Sequence, residues 1–171
     1  MIDGVQMVSL NSLGDNRGWF METFRKEWFP QRDWSKVQWN ASFSKRGVMR
    51  GLHYHLHQID YWYVPWGDIR VGLCDLRPSS ATYRAVQMLD IGDANRTGVF
   101  IPIGVAHGFM ALTDVVMNYL VDNYYDGTDE LEVSWNDPEL GLDWGDVTPT
   151  VSDRDQSSPL LKDIPPERLP K

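Results

Sequence analysis

The chain has 171 residues, a formal net charge of −8 and a sequence pI near 4.8. We expect a single domain over residues 1–171, because a chain of this length buries about two thirds of its unfolded surface without disulfides. The acidic balance argues against nucleic-acid binding through bulk electrostatics, although a local cluster of arginines could hold a small phosphorylated ligand. The sequence shows neither a signal-peptide pattern nor an apolar run of membrane-spanning length. With one cysteine, Cys74, these features predict a cytoplasmic protein.

Taken in order, the chain reads as a series of short β segments. Apolar and polar residues alternate in a way that predicts strands at 5–10, 19–24, 37–44, 48–57, 61–64, 69–73, 85–91, 99–101, 109–112, 115–124 and 133–135. A turn is predicted at 11–18, and a short helix or loop at 25–34, where Pro30 interrupts the pattern. Short strands separated by turns every 8–12 residues or so are typical of an all-β sandwich or barrel.

Helices are expected to be few and mainly C-terminal. One is predicted near 152–161, with Ser152 as its N-cap and Asp155 in its first turn. The proline-rich tail, 162–171, is expected to be extended, non-helical and loosely packed.

The stretch 47–67 is the most informative, because it places His53, His55 and His57 at alternate positions. On a regular strand these residues share one face, so two or three imidazoles would point into one cavity. An exposed polar strand face is the alternative. Arg50 and His53 lie three residues apart, so a regular strand would send them to opposite faces; if both reach the cavity, Gly51 marks a bulge or twist.

The strand predicted at 115–124 places Tyr119 on one face with Val115, Met117 and Val121. A buried tyrosine hydroxyl needs a hydrogen-bond partner. Tyr119 is therefore either a core residue bonded to a backbone carbonyl or a functional residue.

Two spacing patterns resemble those of the cupin superfamily of small jelly-roll β-barrels. The first motif, G-x5-H-x-H-x(3,4)-E-x6-G, is matched by Gly47, His53, His55, Asp60 and Gly67, with aspartate in place of glutamate. The second, P-x-G-x2-H-x3-N, is matched by Pro102, Gly104 and His107, with Ala111 in place of asparagine. The resemblance implies a cupin-type barrel. Read literally, it also implies a metal site for iron, manganese, nickel or zinc, with the ligands His53, His55, Asp60 and His107.

A closer resemblance covers nearly the whole chain, from Asp15 to Leu161. Its matching segments are DNRGWFME at 15–22, VQWN at 37–40, RGLHY at 50–54, DLRP at 75–78, IPIGVAHGF at 101–109, NYY at 123–125, WNDP at 135–138 and SPLL at 158–161. The chain resembles the dTDP-4-dehydrorhamnose 3,5-epimerases, metal-free cupins that act on nucleotide-linked 4-keto sugars in deoxysugar biosynthesis. The resemblance implies an isomerase without a cofactor, a nucleotide-diphosphate sugar as substrate, and a homodimer.

Matched by position, the resemblance makes His53 the general base and Asp155 the carboxylate that orients its imidazole. Tyr119 matches the acid that protonates the opposite face of the sugar, because inversion of a carbon requires a base and a donor on opposite sides. The residues implied in substrate binding are Arg17 and Arg50 on the diphosphate, Phe20 and Tyr124 around the base, Glu22, Gln38 and Asn40 on polar edges, and His107 in the sugar pocket. Phe20 is expected to complete the partner's pocket.

One departure from the family concerns Asp60. Family members typically carry Gln-x-Lys after the catalytic histidine, and the lysine is taken to stabilise the enolate oxygen; here the stretch is Gln58-Ile59-Asp60. A carboxylate about 4 Å from the enolate would cost roughly 4 kcal/mol at an effective dielectric near 20. We therefore expect Asp60 to face away from the keto oxygen and to pair with Arg70 or another cation. The alternative is that Asp60 ligates a metal ion.

Without the lysine, another donor must serve the enolate, and His55, His107 and Tyr61 are the candidates. Trp39 also departs from the family, which usually has aspartate at this position. The nucleotide (dTDP, GDP or CDP), the sugar and the choice of C3, C5 or both therefore stay open.

The sequence is compatible with three functions. The first is a cofactor-independent epimerase, the second a metal-dependent cupin enzyme, and the third a non-catalytic binder of nucleotide sugars. Analysis of bound metal separates the second from the first, and solvent proton exchange tests the third.

Overall fold

The computed structural model describes all 171 residues. Its strands are β1 (Gln6–Ser9), β2 (Ser12–Asp15), β3 (Gly18–Met21), β4 (Gln38–Ser44), β5 (Met49–Tyr54), β6 (Asp60–Trp66), β7 (Asp68–Asp75), β8 (Val86–Gly92), β9 (Thr97–Ile101), β10 (Val105–Ala111), β11 (Val115–Val121) and β12 (Leu131–Glu132). The helical segments are one α-helix, α1 (Asp153–Gln156), and three 3-10 turns at Lys26–Trp28, Leu161–Asp163 and Pro166–Arg168. None of these helices has the length and apolar character required to cross a bilayer.

Ten strands form two five-stranded sheets, in which every neighbouring pair is antiparallel. The strand order is β1-β9-β6-β11-β4 in the first sheet and β12-β5-β10-β7-β8 in the second. Strands β2 and β3 form a separate hairpin. The all-β architecture predicted from the sequence is confirmed.

The inner faces of the two sheets share an apolar core of β-branched and aliphatic side chains. Its buried members include Val64, Ile69, Val71, Leu73, Ile91, Val99, Ile101, Val105 and Val115. Trp62, Phe109 and Met117 belong to this core and also line the cavity described below. The cavity is therefore continuous with the packed interior.

Two further apolar clusters contain side chains of the sheets that lie outside this core. In one, Phe29 packs with Tyr61, Phe100 and Leu120 from the first sheet. In the other, Leu52 and Tyr54 of β5 pack with residues from the C-terminal part of the chain, including Leu131, Leu140, Trp144, Leu161 and Ile164. The segments between and after the strands thus cover the sheets and leave the inner faces for the core and cavity.

The structure corrects several predicted elements. The turn expected at 11–18 contains β2, because 12–15 pairs with 18–21 in the hairpin. The strand expected at 133–135 lies earlier, at Leu131–Glu132, where it pairs with β5. The late helix does begin after Ser152, whose Oγ accepts the Asp155 N–H at 3.1 Å, but it ends at Gln156.

The C-terminal tail is neither loose nor free of helix. Ile164 and Pro170 are buried, and Pro166–Arg168 forms a 3-10 turn. The Tyr54 hydroxyl donates to the Arg168 carbonyl at 3.2 Å. Proline is tolerated at the first helical position because its missing N–H would have no partner there, so the prediction of a non-helical tail is wrong.

Candidate active site

A cavity of about 320 Å³ lies between the two sheets. The first sheet contributes side chains of β4, β6 and β11, among them Gln38, Asn40, Asp60, Trp62 and Tyr119. The second sheet, nearby loops and α1 contribute Arg50, His53, His55, His107, Glu130, Arg154 and Asp155. The volume and the convergent polar groups are those of a small-molecule site.

A bulge in β5 brings two predicted site residues into this cavity. His53 pairs with His107 and Arg50 with Phe109, so β5 has one residue more than β10 over the same span. Arg50 and His53 both line the cavity, which confirms the irregularity expected at Gly51. Gly51 has φ +108°, a conformation that glycine adopts readily and other residues do not.

His53 and Asp155 form a hydrogen-bonded dyad, although 102 residues separate them in sequence. His53 Nε2 lies 2.9 Å from Asp155 Oδ1, and the Gly51 N–H donates to Asp155 Oδ2 at 3.3 Å. Burial raises the pKa of the Asp155 carboxyl, but its hydrogen bonds to His53, Gly51 and Ser152 outweigh burial and lower the pKa overall. An ionised carboxylate only accepts, so Nε2 carries the proton and Nδ1 is left to act as a base.

Tyr119 lies on β11, in the sheet opposite His53, and lines the same cavity. No backbone carbonyl accepts from its hydroxyl, so the interpretation of Tyr119 as a carbonyl-bonded core tyrosine is wrong. Burial raises the pKa of the Tyr119 phenol, and the charges of Asp60 and Glu130 raise it further. The hydroxyl therefore holds its proton firmly, and Tyr119 lines the cavity from the sheet opposite His53.

Asp60 does not face away from the cavity, and the prediction of a pair with Arg70 is wrong. Its Oδ2 lies 3.5 Å from His55 Nε2 and 3.8 Å from His107 Nε2, and its Oδ1 accepts the Trp62 indole N–H at 3.1 Å. Arg70 instead pairs with Asp90, the residue opposite it on β8.

Two further expectations about this region are wrong. His57 lies beyond the end of β5 and is exposed, so it does not share the face of His53. The Tyr61 hydroxyl donates to the Thr23 carbonyl at 2.7 Å, outside the cavity, and cannot serve an enolate there.

The four-residue metal set proposed from the cupin motif is only partly assembled. His55, Asp60 and His107 place ligand atoms within 4.8 Å of one another, whereas His53 is engaged by Asp155. Burial lowers the pKa of the His107 imidazole to about 4, with the Asp60 charge opposing the shift.

The predicted substrate-binding residues separate into two groups. Gln38, Asn40, Arg50 and His107 line the cavity, whereas Arg17, Phe20, Glu22 and Tyr124 do not. Arg17 and Phe20 lie on the β2–β3 hairpin, with Phe20 68% exposed. Glu22 pairs with Arg25, and Tyr124 follows β11 on the surface.

Glu130 and Arg154 line the cavity and were missed in the sequence. Glu130 Oε1 lies 3.9 Å from His53 Nδ1 and 3.2 Å from Arg154 Nη1. Arg154 also contacts Glu132. Glu130 lies directly before β12, in a stretch of sequence with no apolar periodicity, and Arg154 was indicated only by its position next to Asp155.

A barrel cavity with a histidine–carboxylate dyad on one wall and a tyrosine hydroxyl on the other is the arrangement of an acid–base enzyme with a cupin-type fold. The family model of dTDP-4-dehydrorhamnose 3,5-epimerase matches residues 1–163. The chain belongs to this family. It is therefore an isomerase of the epimerase type, and the predicted family, fold and deoxysugar epimerase function are confirmed.

Individual relatives agree with this assignment. A dTDP-4-dehydrorhamnose 3,5-epimerase of Methanothermobacter thermautotrophicus is 38% identical over 148 residues, which cover 84% of this chain and 80% of the relative. The structure of the Legionella pneumophila 3,5-epimerase, solved with dTDP-4-keto-L-rhamnose, superimposes on this chain with a TM-score of 0.92 and 31% sequence identity. The match covers 99% of this chain and 94% of the Legionella chain. The structure of the 3'-monoepimerase ChmJ of Streptomyces bikiniensis, solved with dTDP-quinovose, gives a TM-score of 0.91 and 31% identity. This match covers 99% of this chain and 90% of the ChmJ chain.

Proposed function

We propose that the chain epimerises a dTDP-linked 4-keto-6-deoxy sugar at C3, C5 or both. The observation that carries the proposal is the placement of His53 and Tyr119 on opposite sheets around one cavity. Relatives of the same fold bind dTDP-4-keto-L-rhamnose and dTDP-quinovose, which supports a dTDP sugar as the ligand.

In the proposed reaction, His53 Nδ1 takes the proton from the carbon next to the ketone. The electron pair of the broken C–H bond forms the C=C bond of an enolate, and the negative charge moves to the former ketone oxygen. Tyr119 then donates its phenolic proton to the opposite face of the carbon, where the electron pair of the C=C bond forms the new C–H bond and the ketone is restored. The protonated His53 releases its proton to solvent, and solvent returns a proton to Tyr119, so both residues regain their starting states. Asp155 holds the imidazole in the required tautomer and stabilises its protonated form.

Gln38, Asn40 and Arg50 are proposed to bind the substrate within the chain's own cavity. The guanidinium of Arg50 suits a diphosphate because it offers charge and directional N–H donors. Its Nε donates to Ser44 Oγ at 3.0 Å, which fixes the base of the side chain.

A homodimer explains the second group of predicted binding residues. Arg17, with 85% of its side chain exposed, and Phe20 project from a hairpin that pairs with neither sheet. Glu22 follows the hairpin directly, and Tyr124 is 59% exposed. We propose that Arg17 and Phe20 reach the cavity of a second subunit, with Glu22 and Tyr124 at its rim, and that the enzyme works in the cytoplasm.

The experiment that tests the function is solvent exchange in D2O. The protein is incubated with dTDP-4-keto-6-deoxyglucose, and deuterium at C3 and C5 is followed by NMR, with GDP- and CDP-linked 4-keto sugars in parallel. We expect deuterium at C3, C5 or both in the dTDP sugar, with inverted configuration. The absence of exchange in every nucleotide sugar would contradict the proposal and favour a non-catalytic binder.

A further inference from the structure

Three side chains of the cavity wall, His55, Asp60 and His107, place their ligand atoms within 4.8 Å of one another. Asp60 Oδ2 lies 3.5 Å from His55 Nε2 and 3.8 Å from His107 Nε2. The side chains of Asp60 and His107 are each 5% exposed, and that of His55 is 11% exposed. Asp60 Oδ2 is buried and has no hydrogen-bond partner in the chain. Such an atom is costly unless a proton donor or a cation meets it.

Backbone carbonyls determine which nitrogens of the two imidazoles carry protons. His55 Nδ1 lies 2.6 Å from the Asp129 carbonyl oxygen, and His107 Nδ1 lies 2.9 Å from that of Val105. Carbonyl oxygens only accept, so both Nδ1 atoms are donors and both Nε2 atoms of the neutral rings present lone pairs. Two imidazole lone pairs and one carboxylate oxygen therefore converge without a donor among them.

The distances favour an ion over a shared proton. Hydrogen bonds of this kind are about 2.7–3.2 Å long, shorter than either separation from Asp60 Oδ2. Ligands about 2.1 Å from a metal ion lie roughly 3.0–3.4 Å apart in octahedral or tetrahedral sites. The two separations from Asp60 Oδ2 are close to this range, and all three ligand atoms lie within 4.8 Å of one another. An Nδ1–H bond to a backbone carbonyl is also the usual support of a metal-ligating histidine.

We propose that His55, Asp60 and His107 bind one divalent first-row metal ion. Two imidazole nitrogens and one carboxylate oxygen suit zinc, manganese, iron, cobalt or nickel. Three protein ligands leave a coordination position open toward the cavity. The proposal revises the expectation, implied by the family resemblance, that the site works without a metal.

The role of the ion rests on the proposed function. The Asp60 carboxylate alone would repel the negative charge of an enolate oxygen. A cation bound to Asp60 would make the local charge positive and stabilise the enolate. Asp60 would thus replace the family's lysine indirectly, by holding a cation in the cavity.

The test begins with chelator-treated full-length protein, titrated with Co²⁺ and Zn²⁺ by calorimetry and, for Co²⁺, by visible absorption. Asp60→Asn keeps the size of the side chain but removes the anionic ligand, and His55→Gln is a second variant in case the first does not fold. His57→Gln is the matched control, since His57 is exposed and lies outside the cluster. We expect one ion per chain, at least about 100-fold weaker binding in the cluster variants, and unchanged binding in His57→Gln.

Absence of binding in the wild-type protein, or equal affinity in wild type and the cluster variants, would overturn the site. The role is tested by deuterium exchange with and without Zn²⁺, where we expect faster exchange with the ion. Equal rates would overturn the enolate role. Absence of exchange under both conditions would instead overturn the proposed function, while the binding measurements would still decide whether the metal site exists.

Discussion

Tyr119 lies near two carboxylates, Asp60 and Glu130, and this setting decides its protonation. Burial and the two charges hold the phenol pKa above its ordinary value of 10. A general acid must keep its proton until it is transferred. In a pH–activity profile, we therefore expect the loss of activity caused by Tyr119 ionisation to occur above pH 10.

Replacement of Tyr119 by phenylalanine should separate deprotonation from inversion. The variant lacks the proton donor, so we expect turnover to fall by about 10²–10⁴, while His53 still exchanges the substrate proton with solvent on its own face. NMR in D2O would show deuterium without inversion. Inversion at the wild-type rate would remove Tyr119 from the mechanism.

Residue-scale prediction succeeded where a local pattern carried the chemistry. The spacing around His53 and His107 marked both residues, whereas Asp155 was found only through the family resemblance because the fold alone brings it to His53. Asp60 was misplaced because Arg70 has a nearer partner, Asp90, across the β7–β8 pair. The separation of two residues in sequence does not show which residues will lie opposite each other on neighbouring strands.

At the scale of elements, the bulge in β5 determines where the base points. A Cβ on Gly51 would lie 2.7 Å from both Gly108 Cα and the His107 carbonyl oxygen, on the neighbouring strand β10. The positive φ of Gly51 adds strain for any other residue. The bulge therefore depends on a position that only glycine can occupy.

Gly51→Ala should destabilise the protein by about 2–5 kcal/mol, from overpacking and backbone strain together, and should lower activity by displacing His53. Chemical denaturation measures the first effect and deuterium exchange the second. Gly47→Ala is the matched control, since Gly47 has φ +81° but no atom within 4 Å of its Cβ position. Equal losses in the two variants would mean that close packing at Gly51 is unimportant.

Most strands were predicted near their observed positions because their alternating patterns match a half-buried face. Strand ends were less accurate: β5 stops at Tyr54, since the following residues turn toward Asp129, whose carboxylate accepts the backbone N–H groups of Leu56 and His57. The strand β2 was missed because all four of its residues are exposed and show no apolar alternation.

At the scale of the whole molecule, exposed aromatic side chains indicate a surface that a second subunit would bury. Trp39 and Phe43 on the edge strand β4 are each 54% exposed, and Trp66 is 53% exposed. Aromatic residues are enriched at subunit interfaces. Light scattering at micromolar concentration should show a dimer, and a monomer would contradict the proposed assembly.

Subunit complementation tests whether the hairpin serves the partner's cavity. Inactive His53→Ala and Arg17→Ala proteins are mixed under conditions that exchange subunits. In the mixed dimer, one cavity combines an intact His53 with an intact Arg17 from the other chain, so activity should reappear. Continued inactivity after demonstrated subunit exchange would show that each hairpin serves its own chain or neither.

The central claim is that His53, held in place by Asp155, removes the substrate proton. The most direct test is to measure the rate at which the His53→Ala variant incorporates deuterium at C3 and C5 of the substrate. A positioned general base contributes about 10²–10⁴ in rate, so we expect a loss of that size, with His57→Ala unchanged as the control and near-native circular dichroism in both variants. Incorporation by His53→Ala within a few fold of the wild-type rate would contradict the account.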